Sequence, residues 1–180
     1  MNNGRLGRRG FLIGSAALVS AAILPHAASA RATRRLGLVS LHTGERASVA
    51  YRIDGALQPE ALGALDTVLR DHRTGDILEI DRGLFDLMHR LSQRLETDAP
   101  FQIISGYRSP RTNAMLAAKS SGVARRSLHQ WGMAVDLRLP DRSLDDIYRA
   151  ARSLLGGGVG KYPRSNFVHI DTGRVRYWRG

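Results

Sequence analysis

Ser127-Leu-His-Gln-Trp-Gly-Met-Ala-Val-Asp136, continued by Leu137-Arg138-Leu139, is the stretch from which the fold can be read. Apolar Val135 and Leu137 alternate with Ala134, Asp136 and Arg138, the two-residue period of a strand with one buried face. Asp136 therefore points away from the apolar pair. Gly132, just ahead of the strand, tolerates a backbone bend that brings His129 back over the same face as Asp136. Near the C-terminus Phe167-Val-His-Ile-Asp171 repeats the pattern: Val168 and Ile170 point to a core, while Phe167, His169 and Asp171 share the other side. Two such strands predict a sheet with one face covered and the other free to carry chemistry.

Around them strands and helices follow one another without regular alternation. Leu36–His42 and Ala47–Ile53 read as strands about a Thr43-Gly44-Glu45 turn, a hairpin. Leu62, Leu65, Val68 and Leu69 recur at helical spacing between Pro59 and Arg70, and Leu84, Leu87, Met88, Leu91 and Leu95 do so over residues 82–96. Phe101–Ile104 reads as a short strand and residues 110–119 as a helix with Pro110 at its first position. Ser143–Leu155 reads as a helix capped by Ser143, with Asp146 at the capping-box position. Asn166–Asp171 and Val175–Trp178 close the chain as strands. Gly156-Gly-Gly-Val-Gly-Lys161 is not a phosphate loop, because Leu155 stands where that motif needs glycine and Tyr162 where it needs serine or threonine after the lysine; it reads as a flexible entry to the Asn166 strand. The predicted class is α+β, an antiparallel sheet flanked by helices.

The chain has 180 residues, enough for one ordinary domain. It has no cysteine, which excludes a disulfide scaffold, a cysteine nucleophile and every thiolate metal site. Its 27 Lys+Arg against 16 Asp+Glu give a formal charge of +11 and favour an anionic partner. Residues 1–30 contain Arg5, Arg8 and Arg9, no acid, an apolar run from Phe11 to Leu24, and Ala28-Ser29-Ala30, the layout of a cleavable export signal. The run falls short of the roughly 20 residues a spanning helix needs, and retention as an anchor is the alternative. Arg8-Arg9-Gly10-Phe11-Leu12 resembles a twin-arginine signal, which implies export to the periplasm in a folded state. The expected organisation is a signal over 1–30, a basic linker over 31–35 and one domain over 36–180, with no stable membrane span once the signal is removed. No basic helix with base-reading spacing is present, so nucleic acid is not an expected partner. Peptidoglycan, whose stem peptides carry carboxylates, is the expected anion.

His129, Asp136 and His169 offer two imidazoles and a carboxylate, and three protein ligands with a fourth position open is the arrangement of catalytic zinc. The plain alternative is two hydrogen-bonded histidines and an ion-paired aspartate. His42, His72 and His89 lack a partner at metal spacing and read as structural. Tyr107, Trp131 and Tyr162 flank the motifs and either line a peptide groove or simply pack. Arg125-Arg126 reads as a solvated pair, with a grip on a substrate carboxylate as the alternative.

Ser127, His129, Gly132, Ala134 and Asp136 together resemble the first zinc motif of the D-alanyl-D-alanine carboxypeptidase and murein endopeptidase superfamily, which includes the lysostaphin and hedgehog types. Ser105-Gly-Tyr-Arg-Ser-Pro110 resembles that group's arginine-bearing segment. Gly158 to Gly173, with Arg176 and Trp178 beyond, resembles the murein endopeptidase K branch. The resemblance implies an exported zinc metallopeptidase, one zinc ion, held by His129, Asp136 and His169, and Arg108 bound to the substrate carbonyl. It implies cleavage of peptide cross-links between murein stem peptides, with a D-alanyl carboxypeptidase or a non-catalytic, zinc-containing wall-binding module as alternatives. Several relatives place a glutamate three residues before the last ligand; here that position is Asn166, which cannot accept a proton. Asp171 is left as either the catalytic base or a group that orients the ligand imidazole, with a strand-end ion pair to Arg174 or Arg176 as the plain reading.

Overall fold

The first described strand, β1, runs Thr33–Ser40, so residues 33–35 of the expected basic linker belong to the sheet instead, and its first two residues lie outside the described ones. Arg34 and Arg35 pair with Arg52 and Ala50 of β2 (Arg46–Ile53) around a register shift, and the Arg34 guanidinium meets Asp86 at 2.8 Å. Charged side chains are compatible with this end of β1, because β4 pairs only with Leu38–Ser40 and leaves the edge beside Arg34 and Arg35 open to water and surface acids. The computed structural model describes Met1, residues 33–120 and residues 122–180; the expected export signal lies, apart from Met1, outside the described residues. No described helix is long and apolar enough to cross a membrane.

After β3 (Ala56–Leu57) come α1 (Pro59–Val68) and α2 (Arg82–Arg94), then β4 (Phe101–Ser105) and α3 (Pro110–Lys119). A 3-10 turn over Leu128–Trp131 leads into β5 (Ala134–Arg138) and α4 (Leu144–Ser153). The chain ends with β6 (Gly158–Tyr162), β7 (Phe167–Asp171) and β8 (Arg176–Arg179). Helices α2, α3 and α4 begin at side-chain N-caps: Asp81 accepts from Gly83 N–H, Ser109 from Thr112 N–H and Ser143 from Asp146 N–H.

The eight strands among the described residues form one sheet, in the order β3-β2-β1-β4-β5-β7-β6-β8. The class is α+β as expected, but the sheet is mixed: β1–β4 and β6–β8 are parallel, and the other pairs are antiparallel. The first parallel pair joins strands separated by β2, β3 and two helices; in the second, the chain leaving β7 crosses β6 so that β8 pairs on its far side. Helices α1, α2 and α4 cover one face, packing Leu65, Leu84, Phe85, Met88, Leu91 and Ile147 against Val135, Leu137, Val168 and Ile170. Helix α3 contributes nothing to this core, and the other face of β4, β5, β6 and β7 is left to carry polar side chains.

Glycine runs favour loops in sequence, and this is why β6 escaped the sequence reading. The expected flexible segment is a paired strand, with Val159 opposite Ile170 and Gly160 opposite His169.

Candidate metal centre

Asp136 of β5 and His169 of β7 sit directly opposite each other, and Gly160 of β6 and Trp178 of β8 continue the same transverse row. His129 reaches this row from the 3-10 turn, which Gly132 closes in the left-handed conformation (φ 64°). The three side chains meet. His129 Nε2 lies 3.3 Å from both His169 Nδ1 and Asp136 Oδ1, and His169 Nδ1 lies 2.8 Å from Asp136 Oδ1. All three residues are buried, and among the described residues they form the one such cluster of metal-type donors.

Each imidazole is fixed by a contact on its far side. His129 Nδ1–H donates to the Gly106 carbonyl at 2.7 Å, which leaves the Nε2 lone pair facing the cluster. Gly106 can lie there because it has no side chain: a Cβ would sit 2.4 Å from the Leu69 carbonyl oxygen. His169 Nε2 pairs with Asp171 Oδ2 at 2.9 Å, which directs Nδ1 to the cluster. Burial lowers the pKa of His129, favouring the neutral ring. Burial alone would raise Asp136, but His129 and His169 hold it well below the usual carboxylate range. Against the same burial, hydrogen bonds to Asp136 and Asp171 raise His169 to about 9.

Asp171 is fully buried, and its two oxygens accept five hydrogen bonds. Besides His169, Oδ1 accepts from Gly158 N–H (3.0 Å), Gly173 N–H (2.9 Å) and Arg176 Nη1 (3.0 Å), while Oδ2 accepts from Arg176 Nη2 (2.7 Å). A carboxylate offers about four lone-pair sites, so no position remains for a water. These contacts hold its pKa low despite burial. This geometry suits an orienting group rather than a base, and it gives Asp171 the Arg176 ion pair as well.

Two glycines make this possible. A Cβ on Gly158 would lie 2.4 Å from Arg176 Nη1, and one on Gly160 would lie 2.4 Å from Trp178 Cε2. Arg176 and Trp178 therefore cross β6 over two bare positions, one to reach Asp171 and the other to pack on the His169 ring at 5.2 Å between centroids. The signal was present in the sequence as two glycines spaced by two, matched to Arg176 and Trp178 spaced by two.

The segment after β4 is tied to the cluster through its backbone. Arg108 N–H donates to the His129 carbonyl at 3.0 Å, and Asp71 receives both Ser109 N–H (2.9 Å) and its hydroxyl (2.7 Å). Arg108 is buried with its Nη2 3.5 Å from Asp136 Oδ2, and its Nε has no partner. Burial lowers its pKa while Asp136 favours its charge. Arg108, His129, Asp136 and His169 open onto a cleft of about 680 Å³ that is also lined by Tyr162 and Trp178.

The other sequence-predicted residues separate clearly. Tyr162 lines the cleft, Tyr107 packs against the core and Trp131 is 68% exposed. Arg126 lines the cleft. Asn166 stands outside β7, in the turn before it, at φ 54°. His42 and His72, read from the sequence as structural, stack on each other at 3.9 Å, and His42 also lines the cleft.

Residues 28–178 match a family described as "Peptidoglycan L,D-endopeptidase MepK". The chain is 45% identical over 175 residues to the peptidoglycan L,D-endopeptidase MepK of Escherichia coli strain K12, a match covering 95% of this chain and 96% of that protein. The protein of that name from Shigella flexneri matches to the same extent. The probable peptidoglycan L,D-endopeptidase MepK of Haemophilus influenzae strain Rd is 40% identical over 148 residues, covering 82% of this chain and 80% of its own.

Proposed function

This chain belongs to the peptidoglycan L,D-endopeptidase MepK family, and from that premise we propose that it is a zinc-dependent murein endopeptidase, cutting peptide cross-links between stem peptides in the periplasm. One observation carries the metal part: three donors from separate stretches of chain converge with both imidazole rings already oriented. Two of the three spacings already fit the ion, and the third, His169 Nδ1 to Asp136 Oδ1 at 2.8 Å, is the length of the hydrogen bond that an ion would replace. Tetrahedral zinc with ligands at 2.0–2.1 Å puts neighbouring donors about 3.3 Å apart, as His129 Nε2 stands from each of the other two. When bound, zinc supplies Lewis acidity and lowers the pKa of a coordinated water toward about 7.

The remaining tasks fall to the chain. His129, Asp136 and His169 hold the ion. Asp171, anchored by Arg176 and two backbone amides, orients His169 and raises its basicity as a ligand. Arg108, whose Nε has no partner in the fold, presents a fixed cation to the scissile carbonyl oxygen as negative charge gathers there. Burial of the donors keeps these interactions strong. Export through the twin-arginine route is supported by Arg8-Arg9-Gly10-Phe11-Leu12 and the apolar run that follows.

The test is digestion of purified sacculi, with and without a chelator, followed by mass analysis of the released muropeptides. Chelator-sensitive loss of cross-linked dimers is expected. Release of terminal D-alanine alone, or tight binding to sacculi without products, would contradict the proposal.

A further inference from the structure

Tyr162 lines the cleft with a hydroxyl that is held from two directions. Its ring stacks on Phe167 (centroids 4.5 Å apart, planes 23°), and its oxygen accepts the Trp178 indole N–H at 2.8 Å. Trp178 is itself fixed, lying over bare Gly160 and against the His169 ring, with the Arg176 guanidinium 5.0 Å from its own ring centre. With its acceptor side engaged by the indole, the phenol still has its own O–H, and no described acceptor takes it. Arg108 likewise has a donor without a partner, its buried Nε. The two arrive from opposite sides of the ligand strands: Arg108 follows β4, beside β5, and Tyr162 ends β6, beside β7. They open onto the same cleft.

We propose that the Tyr162 hydroxyl is a second hydrogen-bond donor to the scissile carbonyl oxygen, acting with Arg108 and held in place by Trp178. This rests on the peptidase reading above. A donor aimed before the substrate arrives costs no reorganisation as charge develops, so its worth appears mainly in the transition state. Phe167 and Trp178 keep the ring in position, and Trp178 is a positioning residue in this scheme.

Tyr162→Phe keeps the ring and removes only the hydroxyl. The expected result is a loss of at least about tenfold in kcat with KM little changed, and unchanged zinc content and melting temperature. A phosphinate peptide, which carries the tetrahedral oxygen, should bind Tyr162→Phe more weakly by the same factor. Trp178→Phe, which frees the hydroxyl without removing it, should lose less. Phosphinate affinity and kcat within twofold of wild type in Tyr162→Phe would overturn the proposal, as would a loss in Trp178→Phe that exceeds it. If wild-type protein released nothing from sacculi, the peptidase reading would fail, while the phosphinate affinities would still decide the role of Tyr162.

Discussion

Replacing Asp171 with asparagine changes one oxygen for an NH₂ group, and the structure gives that group nowhere to go. If the nitrogen takes the Oδ1 site, it faces the N–H groups of Gly158 and Gly173 and Arg176 Nη1; if it takes Oδ2, it faces His169 Nε2 and Arg176 Nη2. Both orientations set donor against donor in a fully buried place. Removing one partner of a buried ion pair costs about 3–5 kcal/mol, and the lower end applies because the Arg176 side chain is 34% exposed and can turn to water. Loss of the carboxylate behind a ligand imidazole costs about 10–100-fold in metal affinity or activity. The expected outcome for Asp171→Asn is therefore zinc affinity lower by that factor, a stability loss near 3 kcal/mol in the metal-free protein, and substantial recovery of muropeptide release at saturating zinc. Chelator-competition titration, thermal unfolding and product analysis measure the three. Unchanged zinc affinity with activity abolished at saturating zinc would refute the orienting role and make Asp171 the base.

Gly160→Ala tests the bare strand position: its Cβ drives the Trp178 indole off His169, so zinc affinity should fall several-fold and Trp178 fluorescence should shift, while Gly63→Ala on α1, with open space around it, should be neutral or slightly stabilising. His169, held near 9 by two carboxylates, should carry a proton in the metal-free protein at neutral pH; zinc must displace it, so calorimetry in buffers of different ionisation enthalpy should find about one proton released per ion at pH 7. Apparent zinc affinity should then rise about tenfold per pH unit up to about 9 and level off above. The same group stabilises the metal-free fold fully below its unfolded value near 6.5, and this contribution, roughly 3 kcal/mol, should disappear as pH rises through 9, a loss that melting curves at the two pH values would register.

The ligand strands were legible because period-two alternation is strong where one face is fully buried. Val135, Leu137, Val168 and Ile170 are all at 0% exposure, and that alone placed Asp136 and His169 on the opposite face. Gly132 was readable as a bend because a positive φ is what glycine permits at no cost. Strand β6 was not legible: glycine lowers strand propensity, and the reason for Gly158 and Gly160 lies in side chains that arrive from β8. The parallel pairings were likewise hidden, since strand order depends on contacts distant in sequence. Asp171 could be placed on the ligand face, but orienter and base could be told apart only once Gly158, Gly173 and Arg176 were seen around it.

Metal analysis of folded protein, purified without chelator and compared with His129→Ala of verified fold, tests the central claim most directly. One zinc per chain in the wild type and none retained in the variant is the expected result. A wild-type chain that releases muropeptides while holding no metal would contradict it.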